Sequence, residues 1–400
     1  MNFPQISPRI AAGRKSRLAG LASVSLLALL GFAPMNFGCG QPPQGRNVED
    51  RATTDSTVRF RAETYVTGLE VPWAIAFVPD GRMFITERPG RVRVVENGQL
   101  RPQPLLTLND VETTGESGLM DITIHPDFSG NRFVYLSYAY QANDLYVRVV
   151  RYTETSAGLT DPKVIIERLP AAQFHAGCRI RFGPDGKLYI TTGDATRKEL
   201  AQQLNSLAGK TLRLNDDGTV PADNPFTMQS GALPEIWSYG HRNAQGLAWQ
   251  PGSGLQFQTE HGPSGSDAPG GGDEINIVER GKNYGWPVVH HQESDPAMVS
   301  PLLEYTPAVA PGGCTFYSGN QFPQFQGNFF FANLRGECII RVQLDGRRVV
   351  AQERLLEKLY GRIRDVATGP DGAIYFSTSN RDGRGNPAGT DDRIMRLVAR

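Results

Sequence analysis

The sequence predicts an all-β fold, a six-bladed β-propeller of four-stranded antiparallel blades, and three observations predict it. One pattern, a proline-containing turn followed by a strand of alternating apolar residues, recurs six times. It reads "VPDGRMFITE", "HPDFSGNRFVYLSYAY", "GPDGKLYITTGD", "QPGSGLQFQTEHG", "FPQFQGNFFFANL" and "GPDGAIYFSTSN". The turn prolines, Pro79, Pro126, Pro184, Pro251, Pro323 and Pro370, stand 47 to 72 residues apart, room for four short strands with loops of varying length. No long stretch carries a helical period, and 44 glycines and 28 prolines without a collagen-like repeat favour many tight turns. A single four-stranded sheet cannot bury both faces. Packing each sheet against its neighbours in a ring solves that and leaves few free edges. The alternative is a long β-sandwich or two β-domains.

The first element lies outside the repeat. Arg9, Arg14, Lys15 and Arg17 precede the apolar run of residues 18–32. A basic stretch before a short apolar one reads as a secretory signal over residues 1–38. It is too short and wrongly flanked for a membrane-spanning helix. Cys39 follows "NFG" and raises lipidation, although lipoprotein signals usually carry Leu where Asn36 stands. The alternative is an ordinary cleaved signal. Residues 39–58 then form a Pro/Gln/Gly-rich spacer and residues 59–400 the propeller domain. The expectation is an exported protein, periplasmic or extracellular, attached to a membrane only through a lipid on Cys39.

Lysine plus arginine equals aspartate plus glutamate at 41 each, which gives no sign of a nucleic-acid or membrane-surface binder. An exported chain meets an oxidising compartment, so one pair among Cys178, Cys314 and Cys338 could be bridged; the spacing selects none. No spacing matches a zinc site.

Within the propeller, "GESGLMDITIHPDF" is a blade strand whose leading loop carries Glu116, facing either the channel or solvent. "FHAGCRIRFGPDGKLYITTGD" is a hairpin that starts beside His175 and finishes on Asp194. The two ends can meet, with the carboxylate fixing the tautomer of an imidazole that is then a competent general base. The competing reading is a histidine bonded to a backbone carbonyl. A short helical stretch is plausible in "RKELAQQLNSL" just after Asp194.

"SYGHRNAQGLAW" places Arg242 and Asn243 side by side before a strand, and "YGRIRDV" sets Arg362 and Arg364 two apart, on one face of a strand. Inward-facing guanidinium groups repel one another unless an anion sits between them, which suggests a polyanionic ligand at the axis. A solvated outer strand is the plain alternative. "TEHGPSGSDAPGGGDEINIVERGKNYGWP" is rich in turns that aim backbone carbonyls inward, and carbonyls near acidic groups suit a hard cation such as Ca²⁺. The chain has no Walker loop, GxGxxG fingerprint, HExxH or GxSxG elbow.

Together and in this order, "HRNAQGLAW", "EHGP…GGDEIN", "GKNYGWP" and "RIRDV" resemble the soluble quinoprotein sugar dehydrogenases, the glucose/sorbosone dehydrogenase family with its aldose sugar dehydrogenase branch. The resemblance covers roughly residues 64–397. It implies a six-bladed propeller with pyrroloquinoline quinone (PQQ), a tricarboxylate, in the axial pocket and Ca²⁺ beside it. The implied activity is oxidation of aldose sugars at C1 to lactones, with electrons passed to an external acceptor, a small carrier or cytochrome. By the same resemblance His175 is the general base and Asp194 orients it. Arg242 and Asn243 flank the quinone oxygens, with Arg242 stabilising developing charge, and Arg362 and Arg364 grip the cofactor carboxylates. Gly262 and Pro263 offer carbonyls to Ca²⁺, and Glu116 and His261 stand at cofactor-pocket positions.

The chain departs from the family pattern in three places. Cys178 replaces a glycine beside the base, where a thiol could crowd the pocket or pair with another cysteine. The calcium loop is longer, "SGSDAPGGG". Ser318 stands where glucose-specific enzymes carry a cofactor-contacting lysine, leaving that contact missing or supplied elsewhere, for example by Arg335. The competing function is a non-catalytic propeller that binds carbohydrate or protein. A metal-dependent lactonase would need carboxylate and Asn ligands that an arginine-rich axis does not offer.

Overall fold

The computed structural model describes residues 58–400 except 266 and 268; the signal, Cys39 and the spacer up to residue 57 lie outside the described residues. Six antiparallel sheets follow one another along the chain, five of four strands and one of five. Their first strands are Pro72–Phe77, Leu119–Ile124, Ile180–Phe182, Ala244–Trp249, Pro311–Phe316 and Ile363–Thr368. Each of these touches the first strand of the next blade, and the sixth touches the first, so the inner strands form a closed ring. The sixth blade takes its outer strand from the other end of the domain: Phe60–Val66 pairs antiparallel with Ile394–Ala399.

The strands form where the sequence alternates or runs apolar, and the inner ones are buried on both faces, as "PWAIAF" and "LMDITI" read. Between blades lie apolar layers. In one of them Phe322, Phe325 and Phe330 of the fifth blade meet Ile363, Phe376 and Leu397 of the sixth. Each such side chain contributes about 1.5–3 kcal/mol on burial.

The six prolines all fall between the first and second strands of their blades. Three of the turns share one device: Asp80, Asp185 and Asp371 each accept the N–H two residues on, at 3.1 Å. Glycine at φ +72 (Gly186) allows the chain to reverse there. In an antiparallel pair the start of the first strand lies beside the end of the second. The proline turns therefore occupy one end of the ring, and His175, Asp194, Arg242 and Arg362 the other.

Two expectations are corrected here. Cys178, Cys314 and Cys338 are all buried and all unbridged. Cys178 packs in the core and lines neither of the cavities described below, so it does not crowd them. Ser318 lies at the proline-turn end, sharing a depression with Pro79 and Pro370, because it follows the end of an inner strand rather than its start.

Candidate active site

Two cavities meet at the strand-start end of the ring. The inner one encloses about 870 Å³ including its open mouth, and the outer one about 810 Å³. Glu116, His175, Ser264 and Arg384 line both. His175 thus stands on the partition between them.

The imidazole is fixed from one side. His175 Nδ1–H donates to Asp194 Oδ1 at 2.7 Å. Asp194 is itself held by the Trp286 indole N–H (2.8 Å) and the Thr196 amide (2.8 Å). That leaves Nε2 as the nitrogen free for a ligand. The main chain brings the two together, the Ala195 amide donating to the His175 carbonyl at 3.2 Å, and ties this segment to the next blade: Gly193 bridges to Asn243, and the Asp194 amide donates to the Arg242 carbonyl at 2.8 Å.

Arg242 of the fourth blade and Arg362 and Arg364 of the sixth line the inner cavity with His175. Arg88, Arg335 and Arg384 join them, giving six guanidinium groups against the carboxylates of Glu116, Asp273 and Asp382. The pairing is uneven. Arg362 Nε donates to Asp382 Oδ2 at 2.8 Å, Arg384 reaches Glu116 at 3.4 Å, and Arg242 Nη2 meets Asp267 of the outer cavity at 2.8 Å. Among the described residues the Arg88 guanidinium donates only to main-chain carbonyls, those of Gly115 and Asp382. The Arg335 guanidinium has no partner among the described residues. Arg364 donates to Gln245 Oε1 at 2.7 Å, stands 4.0 Å from Asp382, and leaves its buried Nε unsatisfied. Burial without a close counter-charge pulls this guanidinium down to about 10, the charge of Arg362 adding to that and Asp382 only partly opposing it. Three cationic groups thus face the cavity without a carboxylate at contact distance.

Glu116 accepts from the His175 amide (3.3 Å) and from Asn243 Nδ2 (3.2 Å). Burial pushes its carboxyl up, but His261, His175, Arg384 and Arg364 together outweigh that and hold it below the usual range. Asn243 is fully buried behind the cavity wall, its amide oxygen on the Gly177 N–H (3.2 Å). His261 Nε2–H donates to the Pro311 carbonyl at 2.9 Å, and burial lowers its pKa.

Gly262 lines the inner cavity beside the main-chain oxygens of Gly271 and Gly272, which a Cβ on Gly262 would meet at 2.3 and 2.1 Å. The Pro263 carbonyl accepts from the Gly271 amide (3.0 Å) and keeps one lone pair. Among the described residues no group of three or more His, Cys, Asp or Glu could hold a metal ion. A cation here would rely on main-chain oxygens, the donor type a hard ion accepts.

Sequence reasoning missed Arg88, Asp267, Asp382 and Arg384 as site residues. Asp267, Asp382 and Arg384 sit in irregular loops, and Arg88 opens the turn after an ordinary strand, Met83–Glu87, so no period or spacing marked them.

The model of the family described as "Glucose / Sorbosone dehydrogenase" matches residues 69–395. The chain is 37% identical to the aldose sugar dehydrogenase YliI of Escherichia coli over 335 residues, 79% of this chain and 89% of that protein. The PQQ-bound structure of the aldose sugar dehydrogenase of Streptomyces coelicolor superposes with a TM-score of 0.76 at 32% identity, covering 86% of this chain and 99% of that one. The apo form of the soluble aldose sugar dehydrogenase of E. coli gives 0.78 at 34%, covering 86% and 100%.

Proposed function

The chain belongs to the glucose/sorbosone dehydrogenase family, and on that premise we propose that it oxidises aldose sugars at C1 to lactones, with pyrroloquinoline quinone as cofactor and Ca²⁺ beside it. The observation that carries this reading is the charge pattern of the inner cavity. Arg88, Arg335 and Arg364 each lack a carboxylate at contact distance, and they converge beside His175. A tricarboxylate supplies the three missing anions. When bound, the quinone supplies the two-electron acceptor, and the calcium ion, held by the Gly262 and Pro263 carbonyls, supplies Lewis acidity.

The chain's own residues do the rest. Arg364 and Arg335 hold carboxylates, Arg362 adds charge while braced by Asp382, and Asn243 and Glu116 set the partition. A sugar in the outer cavity presents its C1 hydroxyl to His175 Nε2. That nitrogen takes the hydroxyl proton as the C1 hydrogen departs as hydride, and the C1–O bond becomes the lactone carbonyl. Asp194 holds the imidazole in position and offsets the charge it gains. Arg242, at the wall between the cavities, is placed to stabilise negative charge that develops there. The electron pair passes on to a separate carrier.

The test is reconstitution of purified protein with PQQ and Ca²⁺, followed by absorbance before and after adding a panel of aldoses, with dye reduction as the turnover assay. The expected result is quinone reduction by aldoses, lost on chelation of Ca²⁺. His175→Ala should keep the cofactor and lose turnover by about 10²–10⁴-fold. Failure of every aldose to reduce the quinone would favour the non-catalytic binding propeller.

A further inference from the structure

Between Pro263 and Asp273 this chain carries "SGSDAPGGG". The structure fastens that stretch at its ends. The Gly262 amide donates to Asp273 Oδ1 (2.8 Å), the Gly271 amide to the Pro263 carbonyl (3.0 Å), and the Gly272 amide to the Thr306 hydroxyl (2.9 Å). Between those ends, the side chains tied to a blade among the described residues are Ser264 and Asp267, and both are on Arg242. Asp267 Oδ2 accepts from Arg242 Nη2 (2.8 Å) and Nε (3.2 Å), and Ser264 Oγ accepts from Nη2 at 3.1 Å. The remaining arm, Nη1, donates to the His261 carbonyl at 3.2 Å. Among the described residues, every hydrogen bond of this guanidinium thus goes to His261, Ser264 or Asp267. The Arg242 side chain is 3% exposed, while that of Asp267 is 19% exposed and lines the outer cavity.

We propose that Asp267 is an affinity-determining residue, an internal anion that occupies Arg242 while the inner cavity holds no cofactor and yields when a cofactor oxygen takes that guanidinium. The inference rests on the cofactor reading above. Its physical basis is that the Nε/Nη2 edge of a guanidinium grips one anion and cannot serve two at once. Any ligand that needs Arg242 must first break the pair with Asp267, so apparent affinity falls by the fraction of time the pair is closed. The loop suits such an exchange. Gly265 sits at φ +64, three glycines run from 270 to 272, and swinging Asp267 away moves no strand.

Asp267→Asn keeps the side chain's size and removes its charge. Wild type and D267N are titrated with PQQ at fixed Ca²⁺, following tryptophan fluorescence, since the Trp286 ring lies 5.3 Å from the Arg242 guanidinium carbon. D267N is expected to bind about tenfold tighter, the factor for roughly 1.4 kcal/mol, and Asp267→Glu to return toward wild type. Equal or weaker binding by D267N overturns the proposal. A second measurement needs no cofactor: in ligand-free protein, amides of residues 264–271 should exchange hydrogen faster in D267N. Unchanged exchange also overturns it. A wild type that binds no quinone sinks the cofactor reading and this proposal together, whereas a wild type that binds as D267N does sinks this proposal alone.

Discussion

His175 holds φ +59, a region that L residues avoid, and its partner loop does the same at Ala195 (φ +53) and Thr196 (φ +58). Such residues cost on the order of 1–3 kcal/mol each and persist only where surroundings over-determine them. Here the His175 carbonyl accepts from the Ala195 amide (3.2 Å) while its own amide is held by Glu116. Gly193 explains the closeness: a Cβ there would stand 1.8 Å from the His175 carbonyl oxygen, so the two segments pack main chain to main chain. The carboxylate and the imidazole meet as a consequence. Replacing Asp194 with Asn should lower kcat by roughly 10²-fold or more with cofactor affinity unchanged. The check is kcat and KM measured separately beside a quinone titration; a joint fall in cofactor affinity and thermal stability would mean that Asp194 only supports the scaffold. His175, Asp194 and the Arg362/Arg364 pair could be picked out of the sequence because each stands in or close to a strand whose pattern is local. Asp267 and Asp382 could not, because each sits in an irregular loop and its partner, Arg242 or Arg362, stands 25 or 20 residues away along the chain, a distance that leaves no mark on the local pattern.

Among elements, the excursion after Asp194 shapes the outer cavity through Thr196 and Lys198. It is the short helical stretch the sequence suggested, shortened to a 3₁₀ turn at Lys198–Gln202. Lys210 pins it from below. Its buried ammonium donates to the carbonyls of Leu200 (2.8 Å), Ala201 (2.9 Å) and Ala208 (2.5 Å) and meets no carboxylate among the described residues. Burial pulls this amine from 10.5 down to about 7. The unfolded chain therefore binds more protons than the folded one between those values, so this group's contribution makes stability rise with pH across that window and is most unfavourable below about 7. Urea midpoints at pH 7, 8 and 9 should climb in wild type relative to Lys210→Met. At pH 7 the variant should still be the less stable, since three buried carbonyls lose their donor at about 1–3 kcal/mol each. Parallel pH profiles of the two proteins would show that Lys210 does not titrate in this range.

Across the whole molecule, the ring depends on a strand borrowed from the far end of the domain. Phe60–Val66 covers Ile394–Ala399, and without it the sixth blade exposes an open edge. Deleting residues 60–66 should lower Tm by roughly 5 °C or more and promote association, read by calorimetry and light scattering; an unchanged Tm would mean the ring closes without it. The number of blades and their antiparallel strands were readable in advance, because the proline turn and the alternating strand after it are local and repeat six times. So were the residues at strand starts, since a turn and a strand fix where such a side chain emerges. The sequence by itself therefore determined the propeller, its repeat and the set of histidine, arginine and acidic residues near its axis. Only the tertiary structure decided which charges neutralise each other: that Arg242 is taken by Asp267 and Arg362 by Asp382, while Arg88, Arg335 and Arg364 face the cavity without a close carboxylate. Charge pairing is a matter of ångströms between groups far apart along the chain, and no local pattern encodes that distance.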